Sequence, residues 1–205
     1  RGMLPTSAVP FEPHQAVEAW GPGTRFGALH VSSDLLYWFA VAACQPGLKP
    51  AHDPGHKDDV RLLMAPYHPT LRAIVEETPS ERILRTDIWD LPPLSRWHEG
   101  RVVLLGDAAH ATTPNLGQGA AQAIEDAYCL GLCLAKFEME EALTNYWQWR
   151  HQKAEWVVKT SRRIGWVGGW RHPLAARARD LLLRLTPASQ GANSLRQSGH
   201  LDWLD

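Results

Sequence analysis

The sequence predicts a mixed α/β fold in which a strand-rich segment precedes a helix-rich one. β-prone apolar runs mark residues 1–95, and small and apolar residues recur at helical spacing across residues 117–185. Between these segments, Arg101–Asp126 has the pattern of a buried strand, a sharp turn and the start of a helix. With 205 residues, 44% of them hydrophobic, the chain is long enough to bury a core.

Composition excludes several classes of function. The formal net charge of −1 provides no field that would attract nucleic acid or an anionic membrane. No apolar run reaches the roughly 18–20 residues of a membrane-spanning helix, and the N-terminal stretch lacks the apolar core of a signal peptide. The three cysteines have no paired metal-ligand spacing, so we expect core thiols, no metal site and a cytoplasmic location.

A hairpin is predicted near the start of the chain. The runs Arg25–Val31 and Leu35–Cys44 flank a short polar turn. The second run is apolar almost throughout, which predicts a strand buried on both faces. After the loop predicted at 45–57, local patterns predict three more elements: the helices Asp58–Ala65 and Pro69–Thr78, and a strand at Arg82–Trp89.

The second half is predicted to be mainly helical. Val102–Leu105 is short, β-branched and apolar, which is typical of a central strand. Helical spacing then predicts three helices, of which Gly165–Gly169 ends the second: Gly117–Phe137, Glu141 to about Ile164, and Pro173–Leu185. The tail Asn193–Asp205 is predicted to be poorly ordered.

Gly106 and Asp107 form the first candidate binding motif. Glycine after a buried strand allows close approach of the backbone to a ligand, and an exposed carboxylate can accept hydrogen bonds from sugar hydroxyls. The alternative is an aspartate that only caps the following turn.

Pro114–Ala121 forms the second motif. Gly117-Gln118-Gly119 opens a helix, where free backbone N–H groups and the helix dipole stabilise negative charge. Gln122 occupies the place of the third glycine of G-x-G-x-x-G, and the loop follows its strand by about ten residues, which disfavours a pyrophosphate site. A flat acceptor such as the N1–C2=O edge of a reduced flavin fits this pattern better.

Other polar residues leave their roles open. Glu125 and Asp126 are either catalytic carboxylates or charges that face solvent or hold a neighbouring arginine. His110 is either an acid/base group or a side chain packed behind the loop. Arg25, opposite the run that contains Tyr37, is either a solvated surface charge or part of a lined pocket.

The stretch GDAAHATTPNLGQGAAQAIEDA closely resembles the second flavin-binding motif of the single-component FAD-dependent monooxygenases. That family includes salicylate and para-hydroxybenzoate hydroxylases, bacterial urate hydroxylase and zeaxanthin epoxidase. EAWGPGTRFG before LLYWFA, followed by PYHPTLRAIVEET, ILRTDIWDL and TNYWQWRHQKAEWVVKTSRRIG, keeps the family's order, so the resemblance covers roughly residues 1–165.

The resemblance implies a fold and a division of the chain. The family folds as a Rossmann-like FAD domain with an inserted mixed-sheet substrate domain, closed by C-terminal helices. We therefore expect a substrate-domain portion at 1–95, the C-terminal part of the FAD domain at 96–137 and a C-terminal helical segment at 138–205. The family's first motif, which holds the FAD pyrophosphate, does not occur in the sequence. We expect a missing N-terminal half to be a partner of this chain.

The resemblance also implies site residues. Asp107 matches the aspartate that binds the FAD ribityl chain, and Pro114 matches a proline near the flavin ring. Arg25 and Tyr37 match residues of the urate-hydroxylase branch that lie over the flavin, and they are the predicted catalytic residues. The predicted cofactor-binding residues are Gly106, Asp107, Pro114, Gly117, Gln118, Gly119, Ala120 and Ala121.

The activity implied by the resemblance is monooxygenation. NADH or NADPH reduces FAD, O2 gives a flavin C4a-hydroperoxide, and one oxygen atom passes to an aromatic or alkene small molecule. His30 and Ala111 stand where many relatives have proline, which leaves the substrate open. Two alternatives remain: a flavin oxidoreductase without oxygen insertion, and an inactive half-protein that lacks its N-terminal FAD-binding half.

Overall fold

A computed structural model describes residues 1–12, 16–47 and 56–186. The chain forms two compact units. Among the described residues, the first consists of those within Arg1–Asp87 and Val167–Leu181, and the second of Ile88–Trp166 together with Leu182–Thr186. The predicted loop at 45–57 lies mostly outside the described residues, and the tail Asn193–Asp205 lies wholly outside them.

A sheet with short helices builds most of the first unit and long helices dominate the second, which confirms the predicted mixed α/β class. The strands are β1 (Gly2–Pro5), β2 (Ala16–Gly21), β3 (Thr24–His30), β4 (Leu35–Ala42), β5 (His98–Glu99) and β6 (Val102–Val103). The helices are α1 (His56–Met64), α2 (Pro69–Glu77), α3 (Asp107–His110), α4 (Gly119–Lys136), α5 (Met139–Gly168) and α6 (Pro173–Leu185).

The first unit contains a four-stranded antiparallel sheet in the order β1-β4-β3-β2. Pro22 and Gly23 make the tight turn between β2 and β3, and Gly23 has a φ of +71°, which L side chains rarely adopt. The predicted hairpin is confirmed as β3–β4, with Gly27 opposite Phe39.

One face of this sheet packs against α1 and α2. Trp38 is fully buried there, stacks on Phe26 with ring centroids 5.6 Å apart, and donates from Nε1 to Thr78 Oγ1 at 2.9 Å. Along β4, Leu36 and Trp38 are buried whereas Tyr37 between them is half-buried. The prediction of a strand buried on both faces is therefore wrong, because α1 and α2 pack on the face opposite to Tyr37.

The strand predicted at Arg82–Trp89 does not form. Leu84 exchanges backbone hydrogen bonds with Arg1 at 2.8 and 2.9 Å, but no ladder continues from that pair. Ile88 and Trp89 are exposed. An apolar run without a neighbouring strand along its length stays irregular, because strand geometry depends on the partner's hydrogen bonds.

Helix α5 ends at Gly168, within the stretch Gly165–Gly169 that the sequence predicted to end it, and runs four residues beyond the predicted end near Ile164. Two of these glycines also serve close packing. A Cβ atom on Gly165 would lie 2.6 Å from Asn115 Nδ2, and one on Gly168 would lie 2.9 Å from Arg25 Cδ. The helix keeps its backbone hydrogen bonds while side chains of other segments approach its axis.

Strand β6 is shorter and less central than predicted. Among the described residues it pairs only with β5, with His98 opposite Val103. Val102 and Leu105 are exposed. The predicted central strand is thus the edge of a two-stranded sheet, because the described chain offers it one partner.

The second unit has its core between α4 and α5. Cys129 and Cys133 of α4 are fully buried in it, and Tyr146 of α5 packs beside them. Burial first, and then the neighbouring Cys133, raise the pKa of the Cys129 thiol to about 12. The opposite side of α4 carries apolar residues that remain exposed, namely Ile124 and Tyr128.

The hydrogen bond between Trp38 and Thr78 yields a test of the first core. In Thr78→Val the Trp38 N–H loses its acceptor at a site without solvent access, so we expect the free energy of unfolding to fall by about 1–3 kcal/mol in urea titrations. Thr6→Val is the matched control, since the Thr6 hydroxyl donates to Ser33 at an exposed site and should change stability by less than about 0.5 kcal/mol. Equal losses in both variants would contradict the assignment.

Candidate functional site

The Gly106–Asp107 turn connects β6 to α3. Gly106 is buried with φ +56° and ψ −137°, and a Cβ atom there would lie 3.0 Å from Ala123 Cβ of α4. Both the dihedral angles and the close approach require glycine. Asp107, the first residue of α3, is exposed. The turn therefore presents a carboxylate to solvent while its backbone lies against the first turns of α4.

Asp126 holds this turn from behind. Its carboxylate is fully buried and accepts hydrogen bonds from the Gly106 N–H at 2.9 Å, from Arg150 Nε at 2.8 Å and from His110 Nε2 at 2.6 Å. The three donors come from the turn, from α5 and from α3. One side chain of α4 thus fixes three separate segments of the second unit.

The charge of Asp126 is stabilised by these donors. Burial alone would raise the pKa of the Asp126 carboxyl, but the hydrogen bonds from His110, Arg150 and the Gly106 N–H outweigh burial and hold this pKa below its ordinary value. The group is therefore an ionised structural anchor with its accepting oxygens occupied.

Arg150 extends the network along α5. Its Nη1 donates to Glu125 at 2.6 Å and its Nη2 to Gln122 Oε1 at 2.8 Å, and Lys153 Nζ lies 2.8 Å from Glu125. Of the roles left open by the sequence, Glu125 and Asp126 hold an arginine. His110 packs behind the loop, with its ring 5.0 Å from that of Trp97. The sequence does not identify Arg150 as that arginine, because nothing local indicates a partner 24 residues away.

The loop before α4 exposes its outer side. Pro114 begins a single 3₁₀ turn and is exposed, and Gly117 follows it with φ +65°. Gln118 precedes the first residue of α4, and no side chain in the described part of the chain caps the helix. The N–H groups of the first turn, Gly119–Ala121, have no partner within the helix. An 18-residue helix thus directs its positive end outward at this loop.

Arg25 and Tyr37 lie on one face of the sheet in the first unit. Tyr37 pairs with Leu29, four residues along β3 from Arg25, so the two positions are about 13 Å apart along the strand. Between them the Phe39 ring covers Gly27, where a Cβ atom would lie 2.2 Å from Phe39 Cζ. This face therefore has a cationic end, an aromatic middle and a tyrosine.

Arg25 is held firmly in place. It is only 4% exposed, its Nη1 lies 3.2 Å from Glu18 Oε1, and its guanidinium lies 5.1 Å from the centroid of the Trp20 ring. Arg179 of α6 lies over the same ring at 5.4 Å. Burial, only partly offset by Glu18, lowers the pKa of Arg25. The turn at Pro22 could have predicted Trp20 as the cross-strand neighbour of Arg25. No signal in the sequence predicts that Arg179 lies over the same ring.

Within the described residues, no group of three or more histidine, cysteine, aspartate or glutamate side chains could hold a metal ion. Their helices also include none that is both long and apolar enough to cross a membrane.

The Asp126 network yields a pH-dependent test. Asp126→Asn removes the buried negative charge beside Arg150 and should lower the free energy of unfolding by about 3 kcal/mol at pH 7. Because the folded-state pKa is depressed, this stabilisation is fully present above the ordinary aspartate pKa of about 4. It is lost as the pH falls through the folded-state value. Urea titrations should therefore show the two proteins converging below about pH 4.

Asp107→Asn is the matched control for that experiment, since Asp107 is exposed and its replacement should change stability by less than about 0.5 kcal/mol. A stability difference between wild type and Asp126→Asn that stays constant from pH 7 to pH 3 would show that the charge of Asp126 contributes nothing.

The chain is similar to known proteins over much of its length. Residues 64–161 match the family model described as FAD binding domain. The chain is 41% identical over 169 residues to aurachin C monooxygenase/isomerase of Stigmatella aurantiaca, covering 82% of this chain and 44% of that protein. It is 37% identical over 175 residues to 2-heptyl-3-hydroxy-4(1H)-quinolone synthase of Pseudomonas aeruginosa, covering 84% and 45%.

A solved structure is similar over most of the chain. Klebsiella pneumoniae HpxO, complexed with FAD and uric acid, matches with a TM-score of 0.79 at 28% identity, over 90% of this chain and 47% of that one. The chain spans less than half the length of these relatives. The region matched by the family model includes the Gly106–Asp107 turn and the loop before α4. The chain therefore belongs to the family of FAD-dependent monooxygenases.

Proposed function

We propose that this chain is part of an enzyme that uses FAD, NADH or NADPH, and O2 to hydroxylate or epoxidise an aromatic or alkene small molecule. The observation that carries the proposal is that the second unit presents both an exposed carboxylate, at Asp107, and an uncapped helix start, at α4. Both lie within the region that matches the FAD binding domain family.

The described residues fit FAD in two respects. The exposed Asp107 carboxylate can accept hydrogen bonds from ribityl hydroxyls, and the outward N–H groups of Gly119–Ala121 can face the electron-rich pyrimidine edge of the flavin. The exposed Pro114 offers an apolar edge at the same loop. When bound, FAD would supply hydride acceptance from NADH or NADPH and activation of O2.

In this proposal the first unit receives the substrate. The sheet face that carries Arg25, Phe39 and Tyr37 is apolar in its middle, as an aromatic or alkene substrate requires. Arg25 keeps its positive charge when buried. It would stabilise negative charge that develops on a phenolate or on the transferred oxygen. Tyr37 would orient the substrate through its hydroxyl.

The exposed apolar side of α4 supports a further part of the proposal. Ile124 is 70% and Tyr128 56% exposed, at helical spacing, on the side opposite to the buried face. Such a stripe is ordinarily covered by another layer. Since the chain spans 44% of a relative's length, we infer that further polypeptide covers this stripe and holds the FAD pyrophosphate. Without that part, the chain would be the inactive half-protein that remains the second candidate.

Asp107→Ala in the complete protein tests the cofactor site. Loss of a charged acceptor for ribityl hydroxyls should weaken FAD binding by roughly tenfold or more, measured by fluorescence titration. Thermal unfolding of the protein without FAD should be unchanged, because Asp107 is exposed. Wild-type affinity in this variant would reduce Asp107 to a turn residue.

Arg25→Ala tests the reaction. In assays that follow O2 consumption and hydroxylated product together, the wild type should couple the two. The variant should hydroxylate more slowly and divert O2 to hydrogen peroxide, with FAD affinity little changed. If the alanine variant fails to fold, Arg25→Lys replaces it. The control is Arg85→Ala, which removes a half-buried ion pair with Asp59. Peroxide as the sole oxygen product of the wild type would favour a flavin oxidoreductase without oxygen insertion.

A further inference from the structure

The loop that precedes α4 is fastened to α5 by a closed set of hydrogen bonds. Ser161 Oγ donates to the Thr113 carbonyl at 2.5 Å, and the hydroxyls of Thr113 and Ser161 lie 2.8 Å apart. Asn115 Nδ2 donates to Thr113 Oγ1 at 2.8 Å and to the Ser161 carbonyl at 2.9 Å. We call Thr113, Asn115 and Ser161 the loop clasp.

The hydrogen bonds of the loop clasp can run in only one direction. Each hydroxyl has a single hydrogen. Since Ser161 Oγ donates to the Thr113 carbonyl, the Thr113 hydroxyl must donate to Ser161 Oγ. The Thr113 hydroxyl in turn accepts from Asn115. The chain therefore runs from Asn115 to Thr113 to Ser161 and back to the Thr113 backbone, and each hydroxyl both donates and accepts.

Ser161 is the buried end of the loop clasp. It is fully buried, whereas Pro114 and Gly117 of the same loop are exposed. Gly165, one turn further along α5, leaves room for the Asn115 amide, since a Cβ atom there would lie 2.6 Å from Nδ2. The inner side of the loop is thus fixed and its outer side is open.

The same face of α5 also holds the Gly106–Asp107 turn. Arg150 and Ser161 are eleven residues apart, which is about three helical turns or 16 Å, so they project from one side of the helix. Arg150 binds Asp126, which accepts from the Gly106 N–H. One helix, outside both predicted binding motifs, sets the positions of both.

We propose that Ser161 is a positioning residue for the cofactor, which it does not touch. Through Thr113 and Asn115 it fixes the loop, and so holds the N–H groups at the start of α4 in the geometry that the flavin edge requires. This inference rests on the proposed function, because it assumes that the loop binds FAD. It assigns to α5 the role of a template for the binding loop.

Ser161→Ala in the complete protein tests the proposal. The variant loses the hydroxyl that closes the loop clasp, so FAD affinity should fall roughly tenfold. The visible absorption bands of bound flavin should shift, since its pyrimidine edge meets displaced N–H groups. Thr160→Ala removes a neighbouring hydroxyl of the same helix and should leave affinity and spectrum unchanged.

Thr113→Val combined with Ser161→Ala should weaken FAD binding by less than the product of the single effects, because both substitutions break the same chain of hydrogen bonds.

A second measurement needs no flavin. Without FAD, hydrogen exchange of the Gly117 amide, which donates to the Pro114 carbonyl, should speed up in Ser161→Ala and not in Thr160→Ala. Faster exchange with weaker FAD binding supports the proposal. Unchanged affinity in a variant of a protein that binds FAD overturns it, and so does unchanged exchange. Failure of the wild type itself to bind FAD would overturn the proposed function, and the exchange rates would still decide whether Ser161 fixes the loop.

Discussion

The structure of the second unit depends on one buried carboxylate. Asp126 has no solvent contact, so its negative charge is tolerable only while its donors stay in place. Those donors belong to the Gly106 turn, to α3 and to α5. Because a partly satisfied buried charge is costly, the three segments must adopt one mutual arrangement. The requirement extends to Arg150, which divides its guanidinium between Asp126 and Glu125.

A fixed interior and an open exterior follow from that arrangement. Asp126, Thr113 and Asn115 have hydrogen-bond partners on α5, whereas Asp107 is exposed and no side chain in the described part of the chain caps the start of α4. A binding surface made of backbone N–H groups keeps its shape only if the backbone is held from behind. In the first unit the corresponding support is an aromatic ring: Trp20 lies beneath the guanidinium groups of both Arg25 and Arg179.

The sequence predicted the elements whose signals are local. Pro69 at the start of α2, the apolar spacing of α6 and the polar turn between β3 and β4 each act within a few residues, and those elements form as predicted. The failures involve distant partners. The run at Arg82–Trp89 has strand composition but lacks a neighbouring strand among the described residues, and Val102–Leu105, predicted to be central, pairs only with β5 there. The exposed part of the candidate site, Asp107 and the loop before α4, could be predicted from its sequence motifs. The residues that hold this part in place could not be predicted, because Arg150 and Ser161 meet their partners only after folding.

The two buried cysteines of α4 have a kinetic consequence. A thiol whose pKa is raised to about 12 carries almost no thiolate at neutral pH, so Cys129 is inert to electrophiles and oxidants while the core stays closed. Its alkylation must wait for the α4–α5 contact to separate transiently. Cys44 is exposed and needs no such opening to react. The ratio of the two alkylation rates therefore reports how often the α4–α5 contact opens. The measurement uses cysteines already in the sequence and needs no attached probe.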